Sequence, residues 1–253
     1  MASFNDYARR YETITMTRDE HGVLEMTFHS GGDSLRWSGL AHSDMANAFR
    51  KVANDAANRI VLMTGTGAEF CGPRASSAQP RFTTPPTAAI WEKEAFTECR
   101  EMLGALLDIA VPVVSVVNGP AYRHSEVPLL ADIVVASDDA SFEDSAHFAG
   151  QSMVPGDGVH VVYTMLLGIN RARNFLLTGQ VLDAQEALRL GMVAEVVPKA
   201  NALARGRELT RVLAAKPDML LRYTRALLVQ PIKRNMLDYL ALGLGIEGMA
   251  ILK

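Results

Sequence analysis

Three short runs constrain this chain more than any other feature. RIVLMTG (Arg59–Gly65), VPVVSVVNG (Val111–Gly119) and ADIVVAS (Ala131–Ser137) are almost continuously apolar and of strand length. A strand wetted on one face alternates polar and apolar residues, whereas a strand covered on both faces reads as an unbroken apolar run. Between the first two lies IWEKEAFTECREMLGALLDI (Ile90–Ile109), the clearest helical spacing in the chain. Strand, long helix, strand is a βαβ rhythm and predicts a largely parallel sheet, because parallel neighbours need a long crossover.

The flanks extend this α/β reading. YETITMTR (Tyr11–Arg18) and VLEMTFHS (Val23–Ser30) alternate like strands around the turn-like DEHG (Asp19–Gly22). LAHSDMANAFRKVAND then predicts a helix with Met45, Phe49 and Val52 on one face and Ser43 as its cap. GPRASSAQPRFTTPPT (Gly72–Thr87) is rich in Pro, Ser and Thr and reads as a mobile loop or lid, with a plain surface loop as the alternative. After Val161 the chain is almost wholly helical, punctuated by Pro198, Pro217 and Pro231. We expect an α/β core over 1–198 and a dependent helical C-terminal subdomain over 199–253.

Composition narrows the function. The net charge of −3 over 253 residues offers no basic excess for nucleic acid. No run approaches the roughly 18 unbroken apolar residues of a membrane span, and the N-terminal stretch lacks the apolar core of a signal peptide. Two cysteines, Cys71 and Cys99, make no disulfide framework, so a reducing cytoplasm with free thiols is the expected setting. No GxGxxG after a strand, GxxxxGK[ST], CxxC or GxSxG occurs, which disfavours dinucleotide, P-loop and serine-triad chemistry.

What remains is a set of histidines and carboxylates. His21 and His29 belong with the N-terminal hairpin and read as surface residues; His160 reads as helix packing. His124 stands in NGPAYRHSEVP, a tight loop between two buried strands. His147 lies in FEDSAHFAG, and ten residues later VPGDG sets Asp157 in a turn that opens a helix. Asp157 either caps that helix or orients His147 by bonding one ring nitrogen, and one residue can do both. Taken alone, Trp37 reads as core, and Glu126 and Glu247 read as solvated charges.

Five blocks recur in a familiar order: RIVLMTGTGAEFCGP, VPVVSVVNGPAY…ADIVVAS, ASFED, LLTGQVLDAQEALRLGMVAEVV and LAAKP. Together they resemble the crotonase (enoyl-CoA hydratase/isomerase) superfamily over nearly the whole chain. The resemblance implies a spiral of ββα and βαβ turns with a helical C-terminal region, assembled as homotrimers or dimers of trimers. Members acting on coenzyme A thioesters build an oxyanion hole from two backbone N–H groups, one in a small-residue loop and one in a glycine-rich loop. Here the first loop reads CGPRASS. Pro73 has no N–H, and Arg74 stands where a small residue belongs. The second loop carries His124 and has no glycine after Gly119.

These departures, with SLRWSGLAHSDMA, VPGDGVHVV and LGLGIEGMA, resemble the 6-oxocamphor hydrolase branch of β-diketone hydrolases. That likeness implies hydrolytic cleavage of the carbon–carbon bond between two carbonyls of a cyclic or bicyclic β-diketone, a retro-Claisen reaction that needs no cofactor and no metal. It implies Trp37 and His124 as donors to the enolate oxygen, His147 with Asp157 and Glu247 as the water-activating and proton-moving groups, and His42 as support or substrate contact. Three rivals stay open: a coenzyme A thioester hydratase, isomerase or hydrolase; a metal hydrolase using His124, His147, Asp157 and Glu247; and an inert scaffold on the same fold.

Overall fold

The computed structural model describes residues 4–74 and 84–252. A short helix α1 (Phe4–Tyr7) leads into the hairpin β1 (Ile14–Arg18) and β2 (Val23–Phe28), then α2 (Gly39–Ala53) and β3 (Ile60–Gly65). α3 (Ala88–Trp91) runs into a π-helical turn (Glu92–Thr97) and α4 (Glu98–Asp108), followed by β4 (Val113–Val117), α5 (Glu126–Leu129) and β5 (Ile133–Ser137). Next come β6 (Ser141–Phe142), α6 (Phe148–Gln151), α7 (Val159–Leu167), α8 (Ile169–Thr178), β7 (Leu182–Asp183), α9 (Ala184–Arg189) and β8 (Glu195–Val197). Three helices close the chain: α10 (Lys199–Ala214), α11 (Asp218–Leu228) and α12 (Gln230–Ile251).

The main sheet has the order β1-β2-β3-β4-β5-β8. Only β1 and β2 pair antiparallel; the remaining neighbours are parallel. The unbroken apolar runs have the expected cause. Successive side chains of a strand point to opposite faces, and both faces are dry. Val61, Met63, Val113 and Val117 join Met45, Phe49, Leu103 and Leu106 of α2 and α4 in one cluster. Leu62, Val114, Val116 and Val135 pack on the other face against Ala202, Leu203 and Leu209 of α10.

Two sequence expectations move. The cap of α2 is Ser38, whose Oγ accepts from Ala41 N at 3.1 Å, and Ser43 lies inside the helix. The helix expected over Ile90–Ile109 begins at Ala88 and widens to π geometry over Glu92–Thr97. Of the loop Gly72–Thr87, residues 75–83 lie outside the described residues. Among those described, no helix is long and apolar enough to cross a membrane.

A buried cation ties α11 to the end of α4 and to the loop before β5. Arg225 of α11 donates to Asp132 Oδ2 at 2.7 Å and to the carbonyls of Leu106, Leu107 and Ile109 at the end of α4. Those are carbonyls a helix terminus leaves without intrahelical partners. Replacing Arg225 with Met should therefore cost about 3 kcal/mol or more, because Asp132 and the carbonyls lose a buried partner at once. A urea unfolding series reads this directly; a midpoint unchanged from the parent protein would remove Arg225 from this role.

Candidate active site

The loop after β4 turns sharply at His124, which adopts φ 49°, in the left-handed region. That region suits glycine and costs most other residues about 1–3 kcal/mol. The histidine is therefore held there by its surroundings, and its ring shows how. His124 Nδ1 lies 2.8 Å from Glu126 Oε1 at the start of α5 and 3.4 Å from Asp157 Oδ2. Its face stacks on Trp37, with centroids 3.6 Å apart and planes at 24°.

Trp37 is fixed from behind by backbone: its N–H donates to Gly72 O, and Gly72 N–H donates to Leu35 O, both at 2.8 Å. His42 stands edge-on to Trp37 at 5.7 Å, buried in the first turn of α2, with Nδ1 2.8 Å from Glu98 Oε2 on α4.

His147 follows β6 and is flanked by two carboxylates. Nδ1 is 2.7 Å from Asp144 Oδ1, and Nε2 is 3.3 Å from Asp157 Oδ2. Asp157 Oδ2 thus lies between the rings of His147 and His124. As a helix cap Asp157 contributes only a 3.5 Å contact from Val159 N–H. The turn holding it passes close to α12: a Cβ on Gly156 would meet the Gly243 carbonyl and stand 2.9 Å from Glu247 Cβ. That approach brings Glu247 Oε1 to 3.9 Å from His147 Nε2, while Glu247 Oε2 is buried without a hydrogen-bond partner.

Trp37, His42, His124, His147, Asp157 and Glu247 all line one cavity of about 430 Å³, with Arg123, Trp91, Cys99 and Leu244. Thr84, Pro85 and Pro86 contribute to its wall. Every site residue named from the sequence is therefore gathered at one place. The reading of Glu126 and Glu247 as solvated charges is corrected: they are 1% and 4% exposed, because segments far apart in sequence close over them. Asp144, Glu98, Glu126 and Arg123 are the members that sequence reasoning missed. The spacing of Glu126 and Asp144, two and three residues from a histidine, was the available signal.

Burial and mutual charge set the proton inventory. Burial lowers His124 to about 3, overcoming attraction from Asp157, so its ring is neutral. Burial, then Asp157, hold the Glu126 carboxyl well above the usual range. Glu247 is pushed up to about 8 by burial first and by Asp157 second. For His147 burial opposes charge, yet Asp157 and Asp144 together raise it well above its ordinary value. Burial likewise opposes charge on Asp157, but His147 and His124 bring it far below the usual carboxylate range. At neutral pH the cluster holds the His147 imidazolium beside the Asp157 carboxylate, a neutral imidazole beside a carboxylic acid, and a second protonated carboxyl.

The profile of the enoyl-CoA hydratase/isomerase family matches residues 18–246. The chain belongs to that family, the crotonase superfamily. A beta-diketone hydrolase from the cyanobacterium Anabaena sp. PCC 7120, solved bound to (S)-3-oxocyclohexyl acetic acid, is 37% identical and superposes with a TM-score of 0.88 over 96% of each chain. The probable peroxisomal enoyl-CoA hydratase 1 of Arabidopsis thaliana is 30% identical over 83% of this chain and 76% of its own length. Human enoyl-CoA delta isomerase 2 is 28% identical over 74% of this chain, which spans about half of it (47%).

Against that family background the two loops stand out. His124 occupies the loop after β4 in a glycine-like conformation. Arg74, on the other loop, is half-exposed, pairs with Glu143 at 2.6 Å and lies over the Tyr122 ring. At one corner His124, Glu126 and Asp157 bring atoms of metal-ligating type within 4.8 Å of one another.

Proposed function

We propose that this enzyme hydrolyses the carbon–carbon bond of a cyclic or bicyclic β-diketone to give a keto acid. The observation that carries the reading is the stacked Trp37–His124 pair, two side chains facing the cavity where thioester chemistry relies on backbone. The likeness to the Anabaena hydrolase supports it, since that protein holds a keto acid.

The tautomer of His124 follows from its partner. With Glu126 protonated, its O–H donates to Nδ1 of the neutral ring, and the ring proton sits on Nε2. A neutral imidazole donates from one nitrogen and accepts at the other. The free N–H and the indole N–H of Trp37 then grip the carbonyl oxygen that becomes the enolate. Charge developing on that oxygen meets donors already in place, an effect worth about 10²–10³ in rate per donor.

At 3.9 Å from His147 Nε2, Glu247 Oε1 is not hydrogen-bonded to it and is free to hold a water against the substrate carbonyl. As a carboxylate, Glu247 takes a proton from that water while its oxygen adds to the second carbonyl. Collapse of the adduct breaks the carbon–carbon bond and leaves a carboxylic acid and an enolate. The His147 imidazolium, steadied by Asp144 and Asp157, protonates the enolate carbon. Glu247 then returns its proton to His147, so diketone plus water gives keto acid. No step draws on a metal or redox cofactor.

The test is EDTA-treated protein with a panel of cyclic and bicyclic β-diketones, following loss of diketone and gain of acid. Metal-independent turnover is expected. Coenzyme A binding without any diketone turnover would transfer the site to thioester chemistry, and absence of both would favour a scaffold. We also propose the superfamily's trimeric or doubled-trimeric assembly, supported by bare apolar side chains such as Leu227 and Leu237 on α11 and α12.

A further inference from the structure

Arg123 precedes His124 on the loop after β4 and takes no part in the chemistry above. It is 6% exposed and lines the same cavity as His147, Asp157 and Glu247. Nε and Nη2 of its guanidinium are covered and have no hydrogen-bond partner, which leaves Nη1 as the nitrogen open to a ligand; the side chain makes no hydrogen bond to any described residue. A buried guanidinium is normally held by carboxylates or carbonyls, since burying an uncompensated charge is costly. Arg225 shows that ordinary case in this very chain. Arg123 has attraction from Asp144 and Asp157 without contact. A cation kept free of partners beside a cavity is arranged for a ligand.

We propose that Arg123 is the anion anchor of this cavity, receiving the carboxylate of a small cyclic keto acid. The proposal deepens the diketone reading and, for the link to turnover, rests on it. Its chemistry is consistent with the rest of the wall. Asp144, Asp157 and, once ionised, Glu247 all repel a carboxylate, so an acidic product needs an opposite charge to stay or form there. Arginine supplies a permanent one with fixed, directional donors. A neutral diketone gains little from it on binding. The oxyanion of the hydrated carbonyl gains much, and interactions made only as charge develops raise kcat rather than lower KM. Loss of Arg123 should therefore depress kcat with KM for diketone nearly unchanged.

The experiment is calorimetry with (S)-3-oxocyclohexyl acetic acid and its primary amide as probes, on the parent protein, Arg123→Met and Arg123→Lys. The acid should bind the parent about 10–100-fold tighter than the amide, the worth of one hydrogen bond to a charged group. Arg123→Met should erase that preference and leave amide binding alone, and Arg123→Lys should restore part of it. Equal affinity of the parent for acid and amide overturns the anchor, whatever the variants do, and so does a preference that survives in a folded Arg123→Met. Should that variant fail to fold, the parent's acid-to-amide ratio and Arg123→Lys decide. Acid preference without diketone turnover would sink the hydrolase reading and keep the anchor; turnover without acid preference would do the reverse.

Discussion

Replacing His147 with alanine should lower diketone turnover by at least about 10³-fold, since a positioned proton donor contributes about 10²–10⁴ and this ring also organises its neighbours. Asp144 and Asp157 meet it from opposite edges, at 2.7 and 3.3 Å. Without the ring they face each other and Glu247 across an empty, buried space, so carboxyl protons are taken up where an imidazolium used to sit. The variant then has neither the acid nor the charge that keeps Asp157 ionised. Two controls separate chemistry from folding. The far-ultraviolet spectrum should remain native, because His147 lies outside both hydrophobic faces of the sheet. Added imidazole should recover part of the rate by filling the space left by the ring. Turnover within tenfold of the parent would remove His147 from the mechanism.

Particular residues show how far the sequence could be read. β3, β4 and β5 sit within the apolar runs that announced them, trimmed only by a residue or two at their ends, because burial on both faces writes itself into every position. The cap of α2 fell on the wrong serine. Helical periodicity places a face well and an end poorly, and Ser38 and Ser43 differ by little more than one turn. The π-helical turn at Glu92–Thr97 left no mark in spacing. It belongs to a segment whose Trp91 indole donates to Leu244 O, 153 residues away. The cluster was legible in His124 and His147, which sit in loops where glycine or bare backbone would be easier to fold, whereas His42 lies inside α2. Its carboxylates were harder. Whether Glu126 or Glu247 meets water depends on α12 and the Gly156 turn closing over them, and no local pattern records that. Asp144 was hidden by the more conspicuous Asp157 turn.

Glu247 should give the reaction its dependence on pH. Its carboxyl is raised to about 8, so at pH 7 only about a tenth carries the charge a base needs. The rate should rise roughly tenfold from pH 7 to a plateau above 9, with a midpoint near 8. Glu247→Gln keeps shape and neutrality but cannot accept the proton. Turnover should fall by about 10²–10⁴ and the alkaline rise should vanish. Stability supplies an independent check of sign. Between the ordinary carboxyl value near 4.5 and about 8 the folded protein holds a proton here that the unfolded chain releases. Stability falls with pH wherever the folded state binds more protons. The Glu247 contribution is therefore full below about 4.5 and lost as pH rises through 8. Glu247→Gln should flatten that decline and unfold at higher urea than the parent at pH 8.5, while losing activity. If the alkaline rise persists in the glutamine variant, the titrating base is another group, and the His147 pair becomes the place to look for it.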